Sequence, residues 1–220
     1  MKRAKRKPAI EELLAVMVQL RAPDGCPWDR EQTHRSLRFH AVEEVYELMD
    51  AIEAGDDHEM TEELGDLLLQ VVFHCQLGRE RGVFDFEKVA RHIVDKLIRR
   101  HPHVFGKVKV KDVDEVWANW EKIKKAEKQG TKHARPSALD GIPRHLPALL
   151  RAEKLVKKAR KAGLVSDADA PVRRSKAAIV KELFALCAEA QAGGWSAEVE
   201  LRAETKRRER ALRREEFKRA

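Results

Sequence analysis

Two segments, each carrying acids three residues apart beside an apolar stripe, constrain this chain more than anything else in it. The first reads Val42-Glu43-Glu44-Val45-Tyr46-Glu47. The second, beyond Gly55-Asp56-Asp57, reads Glu62-Glu63-Leu64-Gly65-Asp66-Leu67-Leu68-Leu69. Carboxylates at i and i+3 leave neighbouring points on one helix face. A turn as short as Gly55-Asp56-Asp57 makes the two helices antiparallel neighbours, so their acids converge on one small volume. Like charges that close are strongly unfavourable unless something cationic sits among them.

On a helical wheel Ala41, Val42, Val45, Leu48, Met49 and Ile52 fall on one apolar arc. Glu44 borders that arc and Glu47 lies about one position beyond it, while Glu43, Asp50 and Glu53 point further out. Position alone thus separates the inward acids from the solvated ones. Glu63 and Asp66 sit in a segment that is apolar nearly all round, where an unpaired carboxylate would cost several kcal/mol or become protonated. Four inward carboxylates with no His or Cys at ligand spacing suit Mg²⁺, or Mn²⁺, better than zinc. A di-iron site would want Glu-x-x-His, and the second pair here is Glu-x-x-Asp. The plain alternative is a solvated or salt-bridged acidic face.

An acidic pocket repels anions, so its substrate should arrive with the metal. A nucleoside triphosphate meets that demand. Lys96 and Arg100, four apart at a helix end, could hold its outer phosphates, although cations at a helix C-terminus also need no ligand to explain them. Trp28 and Trp120 could sandwich a base, against the ordinary alternative of tryptophans in a core.

Of the 220 residues, 37% are charged and only 5% aromatic, a profile that suits helices with long solvated faces. The net charge of +8 is unevenly spread. Residues 1–120 carry 19 basic and 23 acidic side chains, and residues 121–220 carry 26 and 14. The acid constellation therefore lies in an acidic segment, and a uniformly basic nucleic-acid-binding surface is a poor description. Three widely spaced cysteines with no CxxC suggest reduced thiols in a cytoplasmic protein. The basic start, Lys2 to Lys7, is not followed by an apolar signal segment, and no stretch approaches a membrane-spanning length.

Periodicity predicts helices only. They cover residues 9–21, a span from between 32 and 37 to just before Gly55, then 59–77, 86–100 with Asp85 as N-cap, and 113–125. Residues 23–29, with two prolines and a glycine, read as a fixed loop, and 78–82 as another. Val89, Ile93, Val94 and Leu97 form the expected core stripe of one helix, and Val116, Trp117, Trp120 and Ile123 that of the next. Residues 127–137 read as a linker, 164–172 as a loop, and 176–191 and 196–218 as a last helical pair. The basic final helix reads as a solvated face rather than a nucleic-acid reader.

Several motifs together carry a family resemblance. They are Arg21-Ala22-Pro23-Asp24-Gly25-Cys26-Pro27-Trp28-Asp29-Arg30-Glu31-Gln32-Thr33, the two acid segments, Asp95-Lys96-Leu97-Ile98-Arg99-Arg100-His101-Pro102-His103-Val104-Phe105, and Trp120-Glu121-Lys122-Ile123-Lys124. In that order they resemble the MazG family of nucleoside triphosphate pyrophosphohydrolases. The resemblance implies an all-α helical bundle that dimerises. It also implies hydrolysis between the α- and β-phosphates, giving a nucleoside monophosphate and pyrophosphate. By that resemblance Glu44, Glu47, Glu63 and Asp66 match Mg²⁺ ligands and Glu43 adjoins them. Lys96 and Arg100 match phosphate-binding positions, and Trp120 a nucleotide-contacting one. The alternatives are a nucleotide pyrophosphohydrolase of the same fold selective for deoxynucleotides, or a non-catalytic helical partner or nucleic-acid-binding protein using the basic half.

The expected organisation is a MazG-like domain at 8–125, a linker at 126–141 and a second helical domain at 142–220. The last resembles a degenerate repeat. Lys206 and Arg210 echo Lys96 and Arg100, but no counterpart of the acid-bearing helix pair precedes them.

Overall fold

The computed structural model describes residues 7–131, 134–166 and 174–219. The first six residues, with most of the basic start, lie outside that range, as do two residues of the expected linker and residues 167–172 of the expected loop. Among the described residues every regular element is a helix. The chain divides into two compact units, Met1–Val113 and Asp114–Ala220.

In the first unit, α1 (Ala9–Leu20) is followed by the short α2 (Pro27–Glu31), α3 (His40–Ala54), α4 (Asp57–Glu80), α5 (Phe86–Arg100) and α6 (Pro102–Phe105). α4 is the axis, with α1, α3 and α5 packed against it. The core is Met17, Leu37, Val72, Phe73 and Leu77, joined by Ile10, Leu13, Leu14 and Leu20 of α1, so the expected face of α1 is the one it buries.

Four expectations change. The loop around Pro27 contains a helical turn, because proline at the first helical position lacks only an N–H that would be unpaired there anyway. α3 starts late. Thr33 Oγ1 accepts from the N–H groups of Arg35 (3.3 Å) and Ser36 (3.1 Å), and Thr33 N–H donates back to Ser36 Oγ at 2.9 Å. This reciprocal capping of residues 33–36 makes a separate turn ahead of the helix. α4 runs on through Gly78, which is buried in helix rather than loop. Finally, Val42, Val45, Met49 and Ile52 on α3, and Val89, Ile93, Val94 and Leu97 on α5, are exposed rather than core. α3 packs chiefly on α4, and one flank of its apolar arc is left open.

The second unit holds α7 (Val113–Ala126), α8 (Ala148–Lys161), α9 (Lys176–Ala192) and α10 (Ala197–Arg219). Leu139, Leu155 and Ala159 are its buried cluster, closed by Ile142, Leu164, Val165 and Leu212. Carboxylates of α10 reach back across it. Glu198 accepts from Ala148 N–H at 3.0 and 2.8 Å, Glu216 from Ala138 N–H at 2.7 Å, and Glu209 pairs with Arg151 and Arg213. Much of the basic charge of α10 is therefore paired within the unit, including the exposed Arg207 and Arg208 on Glu204, both at 2.6 Å. On α7, Val116, Trp120 and Ile123 are half-buried, but Trp117 is exposed, contrary to its expected inward place.

Candidate active site

The α3–α4 hairpin is built by local rules. Gly55 ends α3 in the left-handed region (φ 68°), which glycine adopts without strain. Asp56 then caps α4, its carboxylate accepting from the N–H groups of His58 (2.9 Å) and Glu59 (3.2 Å). The two helices lie against each other, and Glu44 of α3 meets Glu63 and Asp66 of α4. Oxygens of these three half-buried carboxylates all lie within 4.8 Å of one another.

The electrostatics follow from that meeting. Burial pushes the Glu44 carboxyl above its ordinary range. Gln70 opposes this by donating Nε2–H to Glu44 Oε1 at 3.2 Å, and the charges of Asp66, Glu47 and Glu43 push it up further. Glu63 is raised too, by partial burial first, then by the charges of Glu47, Asp66, Glu44 and Glu59. These acids resist being ionised together, which is the condition a divalent cation relieves. All the donors are carboxylate oxygens, the ligand type of hard cations.

The remaining expected residues are placed as follows. Glu47 is exposed and outside the 4.8 Å trio, though its charge is felt by Glu44 and Glu63. Glu43 is exposed, 3.7 Å from Nδ1 of His40. Trp28, on α2, is 54% exposed and meets His40 edge-on, with ring centroids 6.1 Å apart. His40 is the first residue of α3, one turn before Glu44, so Trp28 stands at the end of the helix that carries the site. Lys96 is half-buried and Arg100 buried near the end of α5. Trp120 belongs to the second unit, edge-on to Trp117 at 5.5 Å, with the Lys124 ammonium 5.5 Å from its ring centre.

Sequence reasoning missed three features. Gln70 follows Asp66 by one helical turn, and that spacing was its available signal. Arg21 lies in the motif that precedes α2, but its partner Glu80 is far away in sequence. His34 and His74 stack with ring centroids 5.1 Å apart and Nδ1 atoms at 2.8 Å, a pairing with no sequence signature. A second acidic grouping, His58, Glu59 and Glu62, is fully exposed at the start of α4.

The profile of the MazG nucleotide pyrophosphohydrolase domain matches residues 32–105. The chain is 48% identical over 155 residues to a protein of Escherichia coli (strain K12) named nucleoside triphosphate pyrophosphohydrolase, covering 70% of this chain and 58% of that one. Residues 32–105 therefore carry a MazG-type domain. A Thermotoga maritima relative, nucleoside triphosphate pyrophosphohydrolase/pyrophosphatase MazG, is 47% identical over 153 residues, covering 70% of this chain and 57% of its own length. The uncharacterized protein YabN of Bacillus subtilis is 51% identical over 143 residues, 65% of this chain and 29% of YabN. The chain thus spans less than two thirds of the length of these relatives. The MazG match contains Glu43, Glu44, Glu47, Glu63, Asp66, Lys96 and Arg100, whereas Trp28 and Trp120 lie outside it. Among the described residues no helix is long and apolar enough to cross a membrane.

Proposed function

We propose that this chain hydrolyses nucleoside triphosphates between the α- and β-phosphates, releasing a nucleoside monophosphate and pyrophosphate. The observation that carries this reading is the meeting of Glu44, Glu63 and Asp66 within 4.8 Å, inside the segment matched to the MazG domain. The relatives named for nucleoside triphosphate pyrophosphohydrolysis support the substrate class. The all-carboxylate donor set fits Mg²⁺, or Mn²⁺, with Glu44, Glu63 and Asp66 as ligands and Glu47 as the nearby fourth. When bound, the cation supplies Lewis-acid polarisation of phosphate oxygens.

The chain's own groups divide the remaining work. The acidic cluster repels free polyphosphate, so it admits substrate only with its counterion. Its carboxylates are the acceptors for the proton of the attacking water, and Glu43 adds negative charge beside them. Lys96 and Arg100 neutralise the outer phosphates. Trp28, exposed beside the start of α3, offers an indole face on which any base can stack, which gives a loose base preference, whereas Trp120 lies in the second unit.

The open apolar residues of α3 and α5, among them Val45, Ile52, Ile93 and Leu97, suit a homodimer that covers them. The basic second unit, read as a degenerate repeat without the acid pair, then has an accessory role, and the setting is cytoplasmic.

Pyrophosphate release from a panel of ribo- and deoxynucleoside triphosphates, with Mg²⁺ and with EDTA, tests the reading. Metal-dependent release from several bases is expected. Release from no nucleotide would remove it, and release from deoxynucleotides alone would replace loose with strict sugar selection.

A further inference from the structure

Gln70 is an uneconomical residue to bury. It is 8% exposed on α4, one turn beyond Asp66 and two beyond Glu63, so it shares their helix face. Its Nε2 donates to Glu44 Oε1 at 3.2 Å. A carboxylate only accepts, so this contact fixes which end of the amide faces Glu44. Oε1 is left buried without a protein partner. Buried amide oxygens are nearly always paired, and an unpaired one costs stability that an apolar side chain would not. The glutamine is therefore aimed by the carboxylate, at the expense of its own satisfaction. A residue serving only the fold has no reason to keep that arrangement.

We propose that Gln70 is a positioning residue of the carboxylate site, holding the Glu44 carboxylate in the orientation in which it joins Glu63 and Asp66 around a divalent cation. This rests on the reading of those three acids as cation ligands. Outer partners that orient a ligand typically change metal affinity by about 10- to 100-fold when removed. The same half-satisfied amide gives the proposal a second, opposite signature. Taking it away should relieve the fold while it harms the site.

The experiment uses the full chain, Mn²⁺ alone as the probe, and two readouts: the Mn²⁺ dissociation constant by calorimetry and the melting temperature without metal. Gln70→Leu is expected to melt no lower than wild type and to bind Mn²⁺ about 10- to 100-fold more weakly. Gln70→Met, with a more adaptable chain, should do the same. Mn²⁺ affinity equal to wild type in both variants would overturn the proposal. So would loss of cooperative melting in both, which would make Gln70 a structural residue. If wild type itself binds no Mn²⁺ while folded, the cation reading falls first and this proposal with it. Asp66→Asn serves as the control that should abolish binding.

Discussion

Arg21 grips both carboxylate oxygens of Glu80, Nε to Oε1 and Nη2 to Oε2, each at 2.7 Å, across the gap between the end of α1 and the end of α4. Its other terminal nitrogen reaches the carbonyl oxygens of Asp29 and Gln32 at the end of α2, and its guanidinium lies 5.5 Å from the Phe73 ring centre. One side chain thereby ties α1, α2 and α4 together and fixes the turn that carries Trp28. Bidentate pairing depends on a planar fork that lysine lacks.

Arg21→Lys should therefore destabilise the fold by about 1–2 kcal/mol, at the lower end for charged hydrogen bonds because Glu80 is partly solvated. The hydrogen bond from Arg21 holds the Glu80 carboxyl below its ordinary 4.5. A depressed carboxyl contributes stability above pH 4.5 that is lost as pH falls through its folded value. Urea midpoints of wild type and Arg21→Lys should differ at pH 7 and converge in strong acid. An equal gap at both would contradict this.

The His34–His74 pair adds a loss of the same sign nearer neutrality. A hydrogen bond between two Nδ1 atoms needs one of them unprotonated. Burial, and then the charge of His34, lowers the His74 pKa below 6.5. Its contribution is whole above pH 6.5 and is lost as pH falls through the lowered value. Denaturant midpoints should fall between pH 8 and pH 5, and His74→Phe should flatten that fall. A wild-type midpoint that does not move over this range would rule the pair out as its source.

Glu44 and Glu63 reverse the sign. Both are raised above 4.5, so their favourable contribution is present below that pH and lost as pH rises through their folded values. On the proposed reading of these acids as cation ligands, Mg²⁺ replaces the missing proton. Its addition should raise the melting temperature at pH 8 much more than at pH 4.5. Equal shifts at the two values would place the cation elsewhere.

Gly78 is the point where α4 makes room for the Phe84 ring, since a Cβ there would lie 2.6 Å from a ring carbon. Gly78→Ala should cost about 1–3 kcal/mol through overpacking, read as a lower urea midpoint at unchanged slope. A neutral result would mean that the ring has somewhere to go.

Much of this was legible in the sequence, for identifiable reasons. α1 and α5 have periodic faces and clear stops, and Asp85 accepts from Lys88 N–H at 2.8 Å as an N-cap should. The Glu44, Glu63 and Asp66 convergence follows from i, i+3 spacing on two helices joined by a tight turn. What was misread depended on partners the pattern does not contain. Thr33 and Ser36 capped each other and delayed α3. Val45 and Ile52 satisfied the apolar arc, yet periodicity does not say whether the fold covers it, and both are exposed. Gln70 is one polar residue in an apolar run, and its contact with Glu44 is not written in that run.

The most direct test is product analysis with a ribonucleoside triphosphate and Mg²⁺, comparing wild type with Glu44→Gln and Asp66→Asn. The account predicts nucleoside monophosphate and pyrophosphate in equal amounts from wild type. Both variants should lose activity by at least the roughly 10- to 100-fold typical for removing an outer partner of a metal ligand, while keeping their helical circular dichroism. Nucleoside diphosphate and phosphate as products, or near-wild-type turnover in either variant, would contradict it.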